Sequence, residues 1–314
     1  MTKIFYDLVP SLSLQSCLTI GNFDGVHIGH QALIKRVIQE SQKRNLASVV
    51  VTFDPHPLSV VKGKTPPFIT LTEQKLELIS QLGVDYVFCL PFNKELAQLT
   101  PKEFVKRYLV KGMGAQKIIV GYDYSFGKNK EGNFDLLKEL GLEFGFEVEQ
   151  VPPVIFNGEI VSSSRIRRLV QAGKVKEVRP MLNRFYQVRG TVVEGQKRGA
   201  KLLGFPTANI ALKDELFPKI GVYAVWVNVL DKILAGVANI GFNPTFGNDF
   251  LSVEVHIFNF GQNIYGQKII VHFVEYLRSE QKFASVEQLK AQIKLDVEKA
   301  KTILAQPENQ IEPI

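Results

Sequence analysis

Ser16-Cys-Leu-Thr-Ile-Gly-Asn-Phe-Asp-Gly-Val-His-Ile-Gly-His30 runs from an apolar strand-like stretch through a glycine-rich turn into a helical pattern. Residues 16–20 read as a strand, and residues 31–43 place Leu33, Ile34, Val37 and Ile38 on one helical face. Working outward, strand-like runs recur at 48–53, 86–90, 117–120 and 147–151. Helical patterns fall between them at 72–82, 101–111 and 134–140; in the second of these Phe104, Val105, Tyr108 and Leu109 share a face. Ser48-Val-Val-Val-Thr-Phe53 has the near-continuous apolar character of a strand covered on both sides. Strand–helix alternation of this kind predicts an α/β domain, a parallel sheet with helices on both faces.

After about Asn183 the period changes. Strands follow one another at 187–193, 207–210, 222–230, 233–240, 252–260 and 268–277, which predicts an antiparallel β-barrel. Leu230-Asp-Lys-Ile233 reads as a tight hairpin with Asp231 and Lys232 as its turn residues. One helix closes the chain, with Ser285 and Gln288 as a capping box and Leu289, Ile293 and Val297 on one face. The switch of pattern at 179–186 predicts domains over residues 1–182 and 183–314, with a frayed tail from 306.

Composition narrows the class. Of 314 residues, 45% are hydrophobic and 22% charged, enough apolar side chain to exclude a disordered or fibrous chain. The formal charge, 38 − 31 = +7, suits a phosphate-bearing partner but is spread along the chain, so no nucleic acid is expected. No apolar run reaches the roughly 18 residues of a membrane helix, and no signal-peptide pattern opens the chain. The two cysteines, Cys17 and Cys89, lie in apolar runs and read as reduced core residues of a cytoplasmic protein. Nothing in the pattern marks an oligomeric state.

Two sites suggest themselves from residue chemistry. Gly21, Gly25 and Gly29 let backbone approach a ligand, and His30 sits where a helix N-terminus attracts phosphate. His27, three residues earlier, can reach the same anion; a zinc site is the competing reading, without cysteine or carboxylate at ligand spacing. His56, between Pro55 and Pro57 at the end of the second strand run, reads as a site wall. In the second half, a basic glycine-rich loop leads into a strand on which Thr207 and Asn209 face one side, hard oxygen donors suited to Mg²⁺ held jointly with phosphates. Glu254 shares a strand face with His256; by pattern alone it is equally a surface charge or a functional carboxylate. No GxxxxGK[ST] motif is present.

The first-half fragments Gly-Asn-Phe-Asp-Gly-Val-His-Ile-Gly-His (21–30), Thr52-Phe-Asp-Pro-His-Pro57, Val120-Gly-Tyr-Asp-Tyr-Ser-Phe-Gly127 and Ser162-Ser-Ser-Arg-Ile-Arg167 resemble the HxGH nucleotidylyltransferases. Together with Gly204-Phe-Pro-Thr-Ala-Asn209, Gly221-Val-Tyr-Ala224, Asn239-Ile-Gly-Phe-Asn-Pro-Thr-Phe-Gly247, Glu254-Val-His256 and Leu277-Arg-Ser-Glu-Gln-Lys-Phe283, they resemble the bacterial bifunctional riboflavin kinase/FAD synthetases over nearly the whole chain. Departures are small: Asp54 for the usual Glu, Ser164 for Thr, Asn259 and Asn263 for acidic residues, and Asn183-Arg-Phe-Tyr186 for Gly-Arg-Pro-Tyr. The resemblance implies ATP-dependent phosphorylation of riboflavin to FMN in the C-terminal half and adenylylation of FMN to FAD in the N-terminal half, both with Mg²⁺. It implies that His27 and His30 hold ATP phosphates, with Gly21, Asn22 and Asp24 in the nucleotide loop and Asp123 near the ligand. Ser163, Ser164 and Arg167 would grip the β- and γ-phosphates, and Gly195, Arg198, Gly199, Lys201 and Gly204 would form the kinase phosphate loop. Glu254 is the implied kinase base. Flavin contacts fall on Arg278, Phe283 and Phe126, although core packing is the better reading of Phe126. A kinase with a degenerate first half and a flavin-sensing regulator are the rival functions.

Overall fold

A computed structural model of the chain describes residues 1–9, 12, 14–63, 65, 67–194, 205–211, 215–242 and 251–311. By backbone packing it divides into two compact units, Met1–Ser163 and Ser164–Ile314.

The first unit is built on β1 (Lys3–Phe5), β2 (Ser16–Ile20), β3 (Ala47–Asp54), β4 (Tyr86–Pro91), β5 (Ala115–Gly121) and β6 (Glu147–Val151). These form one sheet in the order β1-β4-β3-β2-β5-β6, parallel throughout. Helices α1 (Ile28–Arg44), α2 (Pro57–Lys62), α3 (Thr72–Ser80), α4 (Lys94–Gln98), α5 (Pro101–Phe104) and α6 (Phe134–Phe144) fill the crossovers. The chain runs from β2 through β3 to β4 on one side, then returns to place β5 on the other side of β2. Order therefore reverses at β2, and in open parallel sheets ligands bind beyond the strand C-termini at such a reversal. Leu18, Val49 and Ile118 are fully buried with one face's helices, and Cys17, Val50 and Ile119 with the other's, which explains the apolar strand runs. The expected 101–111 helix is present but divided: α5, with a Thr100–Glu103 capping box, continues as a wider π-helical stretch over Val105–Gly112. A short hairpin, β7 (Ile155–Phe156) with β8 (Glu159–Ile160), ends the unit.

In the second unit, α7 (Ser163–Gln171, its first residue belonging to the first unit) and α8 (Val175–Leu182) precede a closed barrel. Its strands are β9 (Tyr186–Val193), β10 (Ala208–Ala211), β11 (Gly221–Val229), β12 (Lys232–Phe242), β13 (Leu251–Ile257) and β14 (Lys268–Arg278). The order is β10-β13-β12-β11-β14-β9, and every neighbouring pair is antiparallel. The hairpin turn differs by one residue from expectation. Val229 pairs with Lys232, and Leu230 and Asp231, at φ 47° and 58°, make the turn. Both central residues at positive φ define the primed turn that matches strand twist, so backbone twist overrode the polarity of Lys232.

Helix α9 (Val286–Leu304) buries Val297, Ala300, Ile303 and Leu304 against Val222, Ala224, Val274 and Leu277. Ser285 Oγ accepts from Gln288 N at 3.3 Å, while Gln288 Oε1 accepts from Ala284 N, so only half of the capping box forms as expected. The tail is not frayed through residue 310. Trp226 Nε1 donates to Asn309 O at 2.7 Å, and Asn309 Nδ2 donates to Ile303 O, so a half-buried indole and a buried amide hold the segment. Both cysteines are free and buried.

Candidate functional sites

In the first unit, the loop leaving β2 is the expected nucleotide loop, and it is strained. Phe23 and Val26 have φ of 50° and 39°, with Gly25 between them at 86°. Left-handed backbone at a β-branched residue is uncommon and persists where surroundings enforce it. Asp24 does much of the enforcing. Its carboxylate accepts from Thr70 N at 3.0 Å and Ile69 N at 3.2 Å, and Thr70 Oγ1 accepts from Gly25 N at 2.9 Å. Asp24 is thus a buried brace between this loop and the segment before α3. Asn22 is exposed, and its carbonyl accepts from Thr52 Oγ1.

His27 is the N-cap of α1, its Nδ1 accepting from His30 N at 3.3 Å. That bond leaves the proton of neutral His27 on Nε2. The imidazole of His30 stacks on that of His27, ring centroids 3.6 Å apart and planes 19° apart, with the Phe23 ring edge-on at 5.2 Å. A β-carbon at Gly29 would lie 3.1 Å from the His27 ring, so the glycine between the two histidines makes this stack possible. Two stacked imidazoles cannot both carry charge. Burial first, then His27, then Lys75 hold the proton affinity of His30 well below the usual histidine range. Its Nδ1 is enclosed without a hydrogen-bond partner.

Ser163, at the start of α7, donates from Oγ to the Asp24 carbonyl at 2.8 Å, a second latch on the same loop. Ser164 is exposed and Arg167 half-buried on the same helix, in the second unit. Asp123 is exposed just beyond β5, the strand beside β2. Gly21 follows β2 directly, and a β-carbon there would meet the Phe23 ring at 3.0 Å. His56 caps α2, its Nδ1 accepting from Leu58 N at 3.1 Å.

Phe126 does not present its face to a ligand. The ring is buried, stacked on Tyr124 at 5.2 Å and packed with Phe104, and Phe126 bridges to Gly132 through both backbone polar groups. The aromatic setting that suggested flavin stacking is core.

In the barrel, Asn209, Glu254 and Asn239 sit directly opposite one another across β10, β13 and β12. Paired residues of antiparallel strands project to one face, so strand register assembles this row from three distant segments. Glu254 is half-buried, and burial, followed by the like charge of Glu280, raises its carboxyl above the usual glutamate range. Glu280 Oε1 accepts from Asn239 Nδ2 at 3.4 Å. Asn239 and Glu280 lie inside recognisable fragments, yet only their register and contact with the row single them out. His256 Nδ1 lies 2.9 Å from the carbonyl of Pro206, and its ring meets Phe205 edge-on, fixing the approach to Thr207 and β10. Asn209 is buried and Thr207 half-buried. The expected phosphate-loop residues Gly195, Arg198, Gly199, Lys201 and Gly204 lie outside the described residues.

Arg278, an expected flavin contact, is tied into the fold. Its guanidinium forks onto Asp296 of α9, with Nε and Nη2 at 2.7–3.0 Å, and Nη1 donates to Ser279 O. Those donors tie β14 to α9 and are spent there; the half-buried Phe283 ring lies 5.9 Å from the guanidinium.

Comparison with known proteins identifies both halves. A family model described as FAD synthetase matches residues 10–165, and one described as riboflavin kinase matches residues 182–304. The chain belongs to the bifunctional riboflavin kinase/FMN adenylyltransferase family. FAD synthetase activity resides in its N-terminal part and riboflavin kinase activity in its C-terminal part, and both are group transfers that imply ATP. The Escherichia coli K12 member is 40% identical over 281 residues, covering 89% of this chain and 90% of that one. The Listeria monocytogenes member is 38% identical over 300 residues, covering 94% and 95%. A solved structure described as a macrolide-efflux protein from Streptococcus pneumoniae is 34% identical, with a TM-score of 0.86 over 96% of this chain and 98% of that one. Among the described residues no helix is long and apolar enough to cross a membrane.

Proposed function

We propose that the two histidines carry adenylyl transfer and that Glu254 carries phosphorylation of riboflavin. The observation supporting the first is the stacked, unequally buried His27–His30 pair at the N-terminus of α1, beyond β2 where strand order reverses. An FMN phosphate oxygen attacks the α-phosphorus of ATP in line; the bond to the β-phosphate oxygen breaks and pyrophosphate leaves. The substrate supplies the nucleophile, so protein groups position and stabilise charge. Neutral His27 and His30 donate N–H bonds to phosphate oxygens, and Asp24 and Ser163 hold their loop.

In the kinase half the 5′-hydroxyl oxygen of riboflavin attacks the γ-phosphorus of ATP, ADP leaves, and Glu254 takes the hydroxyl proton. The half-buried setting that raises its carboxyl makes it a better base than an exposed glutamate. Thr207 and the buried Asn209 suit Mg²⁺: both offer hard oxygen donors next to the base, and no cluster of three or more acidic, His or Cys ligands exists among the described residues. Bound there with substrate phosphates, the ion would neutralise polyphosphate charge. We place the adenylyl-transfer half within 1–182 and the kinase half within 183–314, in a cytoplasmic protein as its two free thiols suggest.

The test is to incubate the chain with riboflavin, ATP and Mg²⁺ and separate the flavins. FAD is expected. FMN alone would leave the first half inactive, and no conversion would favour a flavin-sensing role.

A further inference from the structure

The ladder between β10 and β13 stops one step short of Thr207. Ala208 pairs with Val255, Asn209 with Glu254 and Ile210 with Val253, so the next step sets Thr207 opposite His256. β10 begins at Ala208, however, and Thr207 lies outside the ladder. There a side chain takes over from the backbone: His256 Nδ1 lies 2.9 Å from the Pro206 carbonyl oxygen. A carbonyl only accepts, so this bond fixes a proton on Nδ1. The Pro206 carbonyl shares one planar peptide unit with the nitrogen and Cα of Thr207, so anchoring the oxygen orients Thr207. Pro206 has no N–H, which leaves that carbonyl as its one backbone polar group.

The imidazole is itself clamped. Phe205 meets it edge-on, ring centroids 5.2 Å apart and planes at 89°, and Phe258 lies 5.8 Å away, two residues on along β13 and its exit. Phe258 is buried in the cluster under α9, and Phe205 packs on that same cluster. From the other side β12 comes close. A β-carbon at Gly236 would lie 2.7 Å from the His256 carbonyl, so the approach of the two strands depends on a glycine there. The donor that anchors Pro206 is therefore held by two aromatic rings and by its own strand, two residues from Glu254.

We propose that His256 is a positioning residue for riboflavin phosphorylation, whose Nδ1–H on the Pro206 carbonyl holds the Thr207 hydroxyl in the row of Asn209 and Glu254. The proposal rests on the assignment of Thr207 to Mg²⁺ and adds what places that oxygen. His256 acts through the Pro206–Thr207 peptide. It joins the strand of the base to the segment of the metal donor, so the two keep a fixed spacing.

Two replacements separate donor from ring. His256→Asn keeps an N–H donor near the Nδ1 position without the ring; His256→Phe keeps a ring between Phe205 and Phe258 without the donor. The full chain, both variants and Thr207→Val are titrated with Mg²⁺ by calorimetry in the presence of ADP and riboflavin. The binding component that Thr207→Val removes is the one followed. FMN formation is measured against Mg²⁺ concentration in parallel, and FAD formation from supplied FMN is the internal control. In His256→Phe the Mg²⁺ affinity of that component falls about tenfold, and half-maximal FMN formation needs about tenfold more Mg²⁺. The kcat at saturating Mg²⁺ holds. His256→Asn restores both readings, and FAD formation is unchanged throughout. Unaltered Mg²⁺ affinity in His256→Phe overturns the proposal. So does a normal His256→Phe beside a weakened His256→Asn, which would make the ring's packing the cause. If Thr207→Val removes no component, the assignment of Thr207 falls and the proposal with it. Should His256→Phe lose its thermal transition or FAD formation, His256→Met replaces it with the same readings.

Discussion

The two halves assemble their sites by opposite routes. In the parallel sheet the site lies beyond strand ends, and one loop, residues 21–30, brings glycine turn, brace, cap and stacked histidine together within ten positions. In the barrel the site lies on strand faces, and Asn209, Asn239 and Glu254 meet only through register between β10, β12 and β13. A loop site concentrates its chemistry in sequence; a strand-face site disperses it. The first is vulnerable to loop strain, the second to any slip that turns alternate side chains to the other face.

That contrast is sharpest where each half can be silenced alone. Glu254→Gln keeps shape but cannot accept a proton at neutral pH, so FMN formation should fall by about 10²–10⁴-fold with little change in riboflavin affinity. FAD formation from supplied FMN should persist at its full rate, and loss of both reactions together would break the two-site division. Because burial raises this carboxyl and the base must be ionised, the acid limb of FMN formation in the unaltered chain should lie above the ordinary glutamate range. A limb at or below that range would remove Glu254 from the role.

Next in size is the converse experiment. Replacing His27 and His30 with Ala should reduce FAD formation by more than about tenfold while FMN accumulates. An unchanged FAD yield would make the stack structural. The smallest effect on activity concerns the barrel's frame. Arg278→Ala leaves the buried Asp296 carboxylate without its fork and should cost about 3 kcal/mol of barrel stability, read by chemical denaturation. The riboflavin KM should hold steady in conditions where the barrel stays folded; a KM rise without loss of stability would return Arg278 to the flavin.

Element type was widely legible because burial sets period. Val49, Val50 and Val51 are each fully buried, and a strand covered on both faces needs that run. β13 alternates half-buried and buried from Val253 to Ile257, as a one-sided strand must. Less legible was whatever depends on partners far along the chain. Edge strand β1 has three residues and no pattern of its own, and its existence depends on pairing with Tyr86–Phe88. The fork of Arg278 was not legible because its partner, Asp296, lies 18 residues away on another element. Core packing was already the better reading of Phe126, but sequence does not show that Gly132 bridges to it. Lys75, buried on α3 with its Nζ on the carbonyl of Phe53, gave no signal at all, since a lysine in a helix reads as surface until its neighbours are known. The closeness of the two histidines, by contrast, was legible from their spacing of three, although their stack was not; the intervening glycine leaves room for it.

The indole that holds the tail has a practical corollary. Trp226 is the chain's single tryptophan and stands on β11, with Asn309 hydrogen-bonded to its ring nitrogen. Emission excited at the red edge of protein absorbance therefore comes from the barrel alone, while the parallel-sheet half is optically silent. One fluorophore can time the unfolding of the kinase half within the intact chain, and its polarity response marks when the last residues peel away from it.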